Sequence, residues 1–262
     1  MAQPITTSKL FDLGGQLAIV TGGAEGIGNG IARHLAAAGA LVVIADIDEE
    51  RARAAVRAIE ASGGRAQAYP LDQSREEHVV ALVAAVRRDL GPIHILVNNA
   101  GVVDEASLLD TTAAQWDRLH QVNLRGAFLC LREVARTMVA DGVAGRIINV
   151  SSIGSLHPVI HGIAAYNATK GGINSLTRNA AHELVDKGIT VNAVLPGGVI
   201  TEGQLRRQTK PIDPEQLAQL TPPTGRHLSP EDIGFGVLFF ASPAAGQITA
   251  QLLAVDGGAL NS

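Results

Sequence analysis

The chain has 262 residues, 46% of them hydrophobic and 18% charged. This balance excludes extended disorder and leaves enough apolar surface for a sizeable core. Lys plus Arg number 21 against 25 for Asp plus Glu, a net charge of −4; no basic block provides the multi-phosphate contact of a nucleic-acid binder. Cys130 is the single cysteine, so neither an internal disulfide nor a cysteine-based zinc cluster can form. With no signal-like apolar segment and no apolar run long enough to span a bilayer, a soluble cytoplasmic protein is expected.

In chain order, short continuous apolar runs alternate with amphipathic helical periods, the pattern of a parallel sheet covered on both faces. Strands are expected at Leu17–Thr21, Leu41–Ala45, Ala66–Pro70, Ile93–Asn98, Arg146–Ser151, Thr190–Leu195 and Leu252–Val255. None alternates with polar residues, so both faces of the sheet should be dry. Ile27, Ile31 and Leu35 mark the first crossover helix, which Gly39 ends. Ser74 and Glu77 have capping-box spacing ahead of Val79, Leu82, Val83, Val86 and Leu90, and Gly91-Pro92 stops that helix. No linker divides the chain. The expected fold is α/β, a single-domain, doubly wound parallel sheet of about seven strands with helices on both faces. Residues 202–225, with Pro211, Pro214 and Pro222-Pro223, break the alternation where a lid over the strand ends would lie.

The first strand runs through Thr21-Gly22-Gly23-Ala24-Glu25-Gly26-Ile27-Gly28 directly into a helix. Glycines here let backbone approach a pyrophosphate at the positive helix terminus, although a purely structural turn has the same composition. Asp46 ends the second strand 18 positions after Gly28, where a carboxylate can accept both adenosine ribose hydroxyls and repel a 2′-phosphate. The turn holds Glu25 and no Arg, Ile47 follows Asp46, and nothing nearby neutralises a third phosphate. NAD is therefore expected over NADP.

Tyr166 and Lys170 stand four apart, which on a helix puts them on one face. An adjacent ammonium favours phenolate, so Tyr166 is a candidate acid/base with a pKa below its ordinary value near ~10. Ser151 and Ser152 follow a strand about 14 residues earlier, and Asn98-Asn99-Ala100-Gly101 ends another. The same sheet edge collects all of these residues. His157 and His161 bracket Pro158 and, with Ser155, Val159 and Val103, are candidates for a substrate pocket; a metal site and plain loop residues are the alternatives. His182-Glu183 resembles the start of a zinc-protease helix, but Asp186 stands where the second imidazole belongs, so no metal is expected. Cys130 reads as core.

Together these residues resemble the short-chain dehydrogenase/reductase family from about Leu13 to Gly258. The resemblance is carried by Thr21-Gly22-x-x-x-Gly26-x-Gly28, Asp72, Asn98-Asn99-Ala100-Gly101, Asn123, the Ser pair, Tyr166-x-x-x-Lys170, Pro196-Gly197 with Thr201, and Val255-Asp256-Gly257-Gly258. It implies a Rossmann-type fold and a hydride moved between nicotinamide and an alcohol or carbonyl carbon. It further implies Tyr166 as general acid/base, Lys170 on the nicotinamide ribose, Ser152 on the substrate oxygen, and Asn123 fixing a proton-relaying water. Asp72 would contact adenine, Asn99 the adenosine-side ribose, and Ile200 and Thr201 the carboxamide.

Two departures from the family's pattern stand out. The interval from Ser152 to Tyr166 is one residue longer than is usual, which places an insertion in that loop. Gln73 occupies a position that is usually apolar. The long helical stretches around Leu108–Met138 and Ala164–Lys187 are similar to those that build homotetramers in this family. The expected substrate is a small-molecule secondary alcohol or ketone: a polyol, a cyclic or an aromatic alcohol. A 3-oxoacyl-carrier-protein reductase, a methyltransferase and a catalytically silent NAD-binding regulator are the competing readings. Asp46 opposes the first, Tyr166 and Lys170 have no role in the second, and the complete Ser, Tyr and Lys set argues against the third.

Overall fold

The computed structural model describes residues 7–158, 160–201, 203 and 221–261. Seven strands form one sheet in the order β3-β2-β1-β4-β5-β6-β7. They are β1 (Leu17–Thr21), β2 (Leu41–Asp46), β3 (Arg65–Pro70), β4 (Ile95–Asn98), β5 (Arg146–Val150), β6 (Thr190–Pro196) and β7 (Leu252–Val255), and every pairing is parallel. The helices are α1 (Thr7–Leu10), α2 (Gly26–Ala37), α3 (Glu49–Ala61), α4 (Glu76–Leu90), α5 (Ala113–Leu119), α6 (Gly126–Asp141), α7 (Ala164–Leu184) and α8 (Pro230–Ala241).

The apolar strands bury side chains on both faces. Ile31 and Leu35 of α2, Ile59 of α3, and Ile233, Val237 and Phe240 of α8 cover one face. Val79, Leu82 and Val86 of α4, Leu129, Val134 and Met138 of α6, and Ala181 of α7 cover the other. After β3 the chain returns to the far side of β1, so the strand order reverses between β1 and β4. That reversal opens a crevice at the carboxyl ends of the strands, where open α/β sheets bind ligands.

Several local expectations are corrected. Edge strand β3 has only one neighbour, and Arg65 and Gln67 face solvent, so the sheet is not dry throughout. β4 starts at Ile95 rather than Ile93 because His94 is bound to β1 from outside the ladder: its backbone N–H donates to Leu17 O (2.9 Å) and its Nδ1 accepts from Leu17 N–H (3.2 Å). Arg75, not Ser74, caps α4, since the Ser74 hydroxyl is taken by Asp72 Oδ1 at 2.6 Å. Capping boxes form instead at Thr112 with Gln115 and at Ser229 with Asp232. The long helical stretch from Leu108 starts only at Ala113 and is interrupted by a π-helical turn, His120–Arg125. Of the expected lid, residues 202 and 204–220 lie outside the described residues. Among the described residues no helix is long and apolar enough to cross a membrane.

Candidate active site

The glycine turn joins β1 to α2 through backbone that side chains would block. Gly22 has φ +63°, and a Cβ on it would lie 2.8 Å from Ala100 Cα; a Cβ on Gly28 would lie 2.0 Å from Gly22 O. Among the described residues the Glu25 side chain at the N-cap makes no capping bond to α2, whose N-terminus favours an anion. Thr21 and Asn99 brace the turn from beneath. Thr21 Oγ1 accepts from the backbone N–H groups of Asn99 (3.1 Å) and Ala100 (3.0 Å), and Asn99 Nδ2 donates to Thr21 O and Gly22 O, both at 3.0 Å. The Nδ2 of Asn99 therefore holds the turn's shape, and the residue also lines the cavity above it.

A cavity of about 760 Å³ runs from this turn across the strand ends. Gly22, Glu25, Gly26, Ile27, Gly28, Asp46, Asp72, Asn99, Ala100 and Gly101 line it, together with Ser152, Tyr166, Lys170, Pro196, Gly197, Thr201 and Val103. The bare glycine backbone at one end and Ser152, Tyr166 and Lys170 at the other leave room that fits an extended dinucleotide. Asp46 is fixed near the glycine turn, with Oδ2 accepting from Ala24 N–H at 3.1 Å and Oδ1 from Asp48 N–H at 3.0 Å. Asp72 Oδ1 accepts from both the backbone and the hydroxyl of Ser74.

At the other end Tyr166 and Lys170 rise from α7. The Lys170 ammonium sits 5.5 Å from the centre of the Tyr166 ring and donates to Val150 O at 2.8 Å. Burial pulls the Lys170 pKa down to about 8. Burial likewise pushes the Tyr166 phenol up to about 12, opposed by its hydrogen bond with Ser152. The expectation of a phenol held below its ordinary pKa by the ammonium is thus corrected for the protein alone: loss of solvation outweighs the opposing influence of Ser152, and the ammonium is aimed at a backbone carbonyl.

Ser152, which accepts from Gly154 N–H at 3.1 Å, is the serine that faces Tyr166 and tends to lower its pKa. Ser151 turns inward and donates to Lys170 O at 3.1 Å. Asn123 is fully buried within the π-helical turn, a distortion common at functional sites. Its Oδ1 accepts from Val102 N–H and its Nδ2 donates to Val102 O, both at 2.8 Å, so the side chain pins the loop after β4.

Other expected residues fall elsewhere. Ser155 accepts from Asn174 Nδ2 at 2.8 Å and donates to Ser152 O, which ties it to α7 beneath the loop. His157 and His161 are exposed, and neither they nor Ile200 line the cavity among its described residues. Val159 lies outside the described residues. Among the described residues no group of His, Cys, Asp and Glu could hold a metal.

Of two further contributors, Gln73 stands out in the sequence, though not for this contact, and Arg51 does not. Gln73 Nε2 donates to Ala100 O (3.0 Å) and Val122 O (2.9 Å), linking the loop after β4 to the π-helical turn; its unusual identity was the available signal. Arg51 reaches the adenosine end of the cavity, contrary to the expectation of no cation there. Its position three residues after the cap Asp48 turns it back over the N-terminus of α3.

A family model described as Enoyl-(Acyl carrier protein) reductase matches residues 22–259. The chain is 38% identical over 250 residues to the galactitol 2-dehydrogenase (L-tagatose-forming) of Cereibacter sphaeroides, covering 95% of this chain and 96% of that one. It is 38% identical over 251 residues to 3beta-hydroxysteroid dehydrogenase 1 of Eggerthella lenta, covering 94% of each. Among solved structures it is similar to a Beutenbergia cavernae protein assigned as an NAD(P) dependent gluconate 5-dehydrogenase and holding NADP at low occupancy. That match has a TM-score of 0.89 and 35% identity, and covers 97% of this chain and 100% of the other.

Proposed function

The chain belongs to the short-chain dehydrogenase/reductase family, and we propose that it is an NAD-dependent enzyme moving a hydride between nicotinamide and the carbinol carbon of a secondary alcohol. As a member of that family it is an oxidoreductase. The observation that carries the finer reading is one cavity with a bare glycine cradle at one end and Ser152, Tyr166 and Lys170 at the other. Bound nicotinamide supplies the two-electron acceptor or donor. The Ser152 hydroxyl holds the substrate oxygen, and Tyr166 Oη takes its proton during oxidation or returns one during ketone reduction. A phenol with its pKa at about 12 is protonated at neutral pH, ready as the acid. Lys170, charged below its pKa of about 8, favours the phenolate that oxidation needs. Asn123 fixes the loop that walls this end.

NAD is favoured by the Asp46 carboxylate, held toward the adenosine end by two backbone N–H groups. The named relatives act on galactitol and on a 3β-hydroxysteroid; only the class, a secondary alcohol, is carried over. Exposed Trp116 and Phe128 on α5 and α6, and Phe235 on α8, support assembly into a homotetramer, and the lone, buried Cys130 suits the cytoplasm. The test is a panel of polyols, cyclic alcohols and sterols with NAD⁺ and NADP⁺, followed at the reduced-nicotinamide absorbance. Turnover of one class with NAD⁺ preferred is expected. Reduction of neither dinucleotide by any alcohol would overturn the reaction, and preference for NADP⁺ would overturn the cofactor.

A further inference from the structure

Gln73, in the loop between β3 and α4, is only 4% exposed, and the reaction above has no use for it. Its side chain packs against the start of α6, where a Cβ on Gly126 would lie 2.8 Å from Gln73 Cγ. Nε2 donates to Ala100 O and to Val122 O. Two carbonyls fix the amide one way round, because a flip would set Oε1 against both oxygens. Among the described residues Oε1 itself is buried without a partner, a cost that an apolar side chain would not carry.

Ala100 and Val122 both line the cavity. Ala100 is gripped from its other side by Thr21 Oγ1, which accepts its N–H at 3.0 Å. Val122 precedes Asn123, whose amide holds both backbone groups of Val102. Gly101 lies between the held residues, and a Cβ on it would be 3.3 Å from Asn123 Oδ1 and 3.7 Å from Lys170 Nζ. Gln73 thus closes a set of ties around residues 99–102, which run from the glycine cradle to the Lys170 ammonium.

We propose that Gln73 is a positioning residue for the dinucleotide: by holding Ala100 and Val122 it shapes the middle of the cavity and sets cofactor affinity, not proton transfer. The proposal rests on the dinucleotide reading above. Ser152 follows β5, and Tyr166 and Lys170 stand on α7; none of the Gln73 hydrogen bonds reaches them. The unpartnered Oε1 argues against a purely stabilising role, since an apolar residue would fill the same space without stranding an acceptor.

Gln73→Met keeps the length of the side chain and removes its donors. Arg125→Met is the control, because Arg125 Nη1 donates to Ser74 O at 2.8 Å and so ties the same loop to the same π-helical turn without touching Ala100. NADH binding is titrated by fluorescence in the wild type and both variants, and kcat and KM for NAD⁺ are measured with the best alcohol of the panel. Gln73→Met is expected to raise the NADH Kd and the KM for NAD⁺ about tenfold, the loss of one net hydrogen bond, with kcat changed less than about twofold. Arg125→Met should leave all three within about twofold. An unchanged Kd, an equal rise in Arg125→Met, or a fall in kcat as large as the rise in KM overturns the proposal. If Gln73→Met does not fold, Gln73→Asn, whose amide is one methylene short of both carbonyls, is judged by the same outcomes. The titration needs no alcohol, so a silent alcohol panel overturns the reaction while the Kd values still decide Gln73; a wild type that binds no NADH overturns the dinucleotide reading and the proposal with it.

Discussion

Replacing Lys170 by Met should stabilise the protein while abolishing turnover. The ammonium is buried and its proton leaves at about 8 rather than at the ordinary 10.5. At about 1.36 kcal/mol per pH unit, keeping it charged costs the fold roughly 3 kcal/mol. Because the unfolded chain binds the extra proton between about 8 and 10.5, the cost is fully present below about 8 and disappears as pH rises through that window. Met removes the charge but also the charged bond to Val150 O, worth about 1.5–3 kcal/mol. The net gain near neutrality is about 0–1.5 kcal/mol, or up to roughly 6 °C in Tm. Calorimetry of both proteins from pH 7 to 10.5 reads the effect. The expected result is a higher Tm for Lys170→Met at pH 7 and an advantage that shrinks toward pH 10.5. A lower Tm at pH 7, or a pH-independent difference, would refute the reasoning.

Two further predictions concern the scaffold. Gly28→Ala puts a methyl 2.0 Å from Gly22 O and 2.5 Å from Asn99 Nδ2, so the turn must open. NADH binding should be lost, with a destabilisation of about 1–3 kcal/mol, and unchanged NADH titration would contradict the cradle. His94 accepts from Leu17 N–H through Nδ1, and burial lowers its pKa below 6.5, partly countered by a bond with the Pro92 backbone. The folded protein therefore favours neutral His94, and the stability it contributes is lost as pH falls from about 6.5 toward the lowered value. The drop in Tm between pH 7 and 5 should shrink in His94→Gln; an unchanged drop would remove His94 as its source.

The seven parallel strands and the sheet edge on which the site lies follow from local pattern: apolar runs, one glycine turn entering a helix, and Tyr166 four residues before Lys170. Such signals are legible because each depends on neighbours along the chain. What escaped depends on which of several competing partners, near or far in sequence, a side chain takes. Ser74 has capping-box spacing, but Asp72 competes for its hydroxyl and wins. Ser155 follows β5 and the Ser pair, yet Asn174 from mid-α7 draws it beneath the loop. Arg51 reaches the cavity only because α3 turns back toward Glu25. Tyr166 and Lys170 show the same limit in their energetics: spacing brings the ammonium near the ring, but burial, which spacing does not encode, moves both pKa values against ionisation.

The most direct test of the proposed reaction is Tyr166→Phe, assayed for NADH binding and for turnover of the best alcohol. The glycine cradle and Asp46 are untouched, so NADH should bind as in the wild type, while removal of the proton-exchanging oxygen should cut kcat at least about 10²-fold. Retained binding with retained turnover would contradict Tyr166 as the acid/base and, with it, the account of the site.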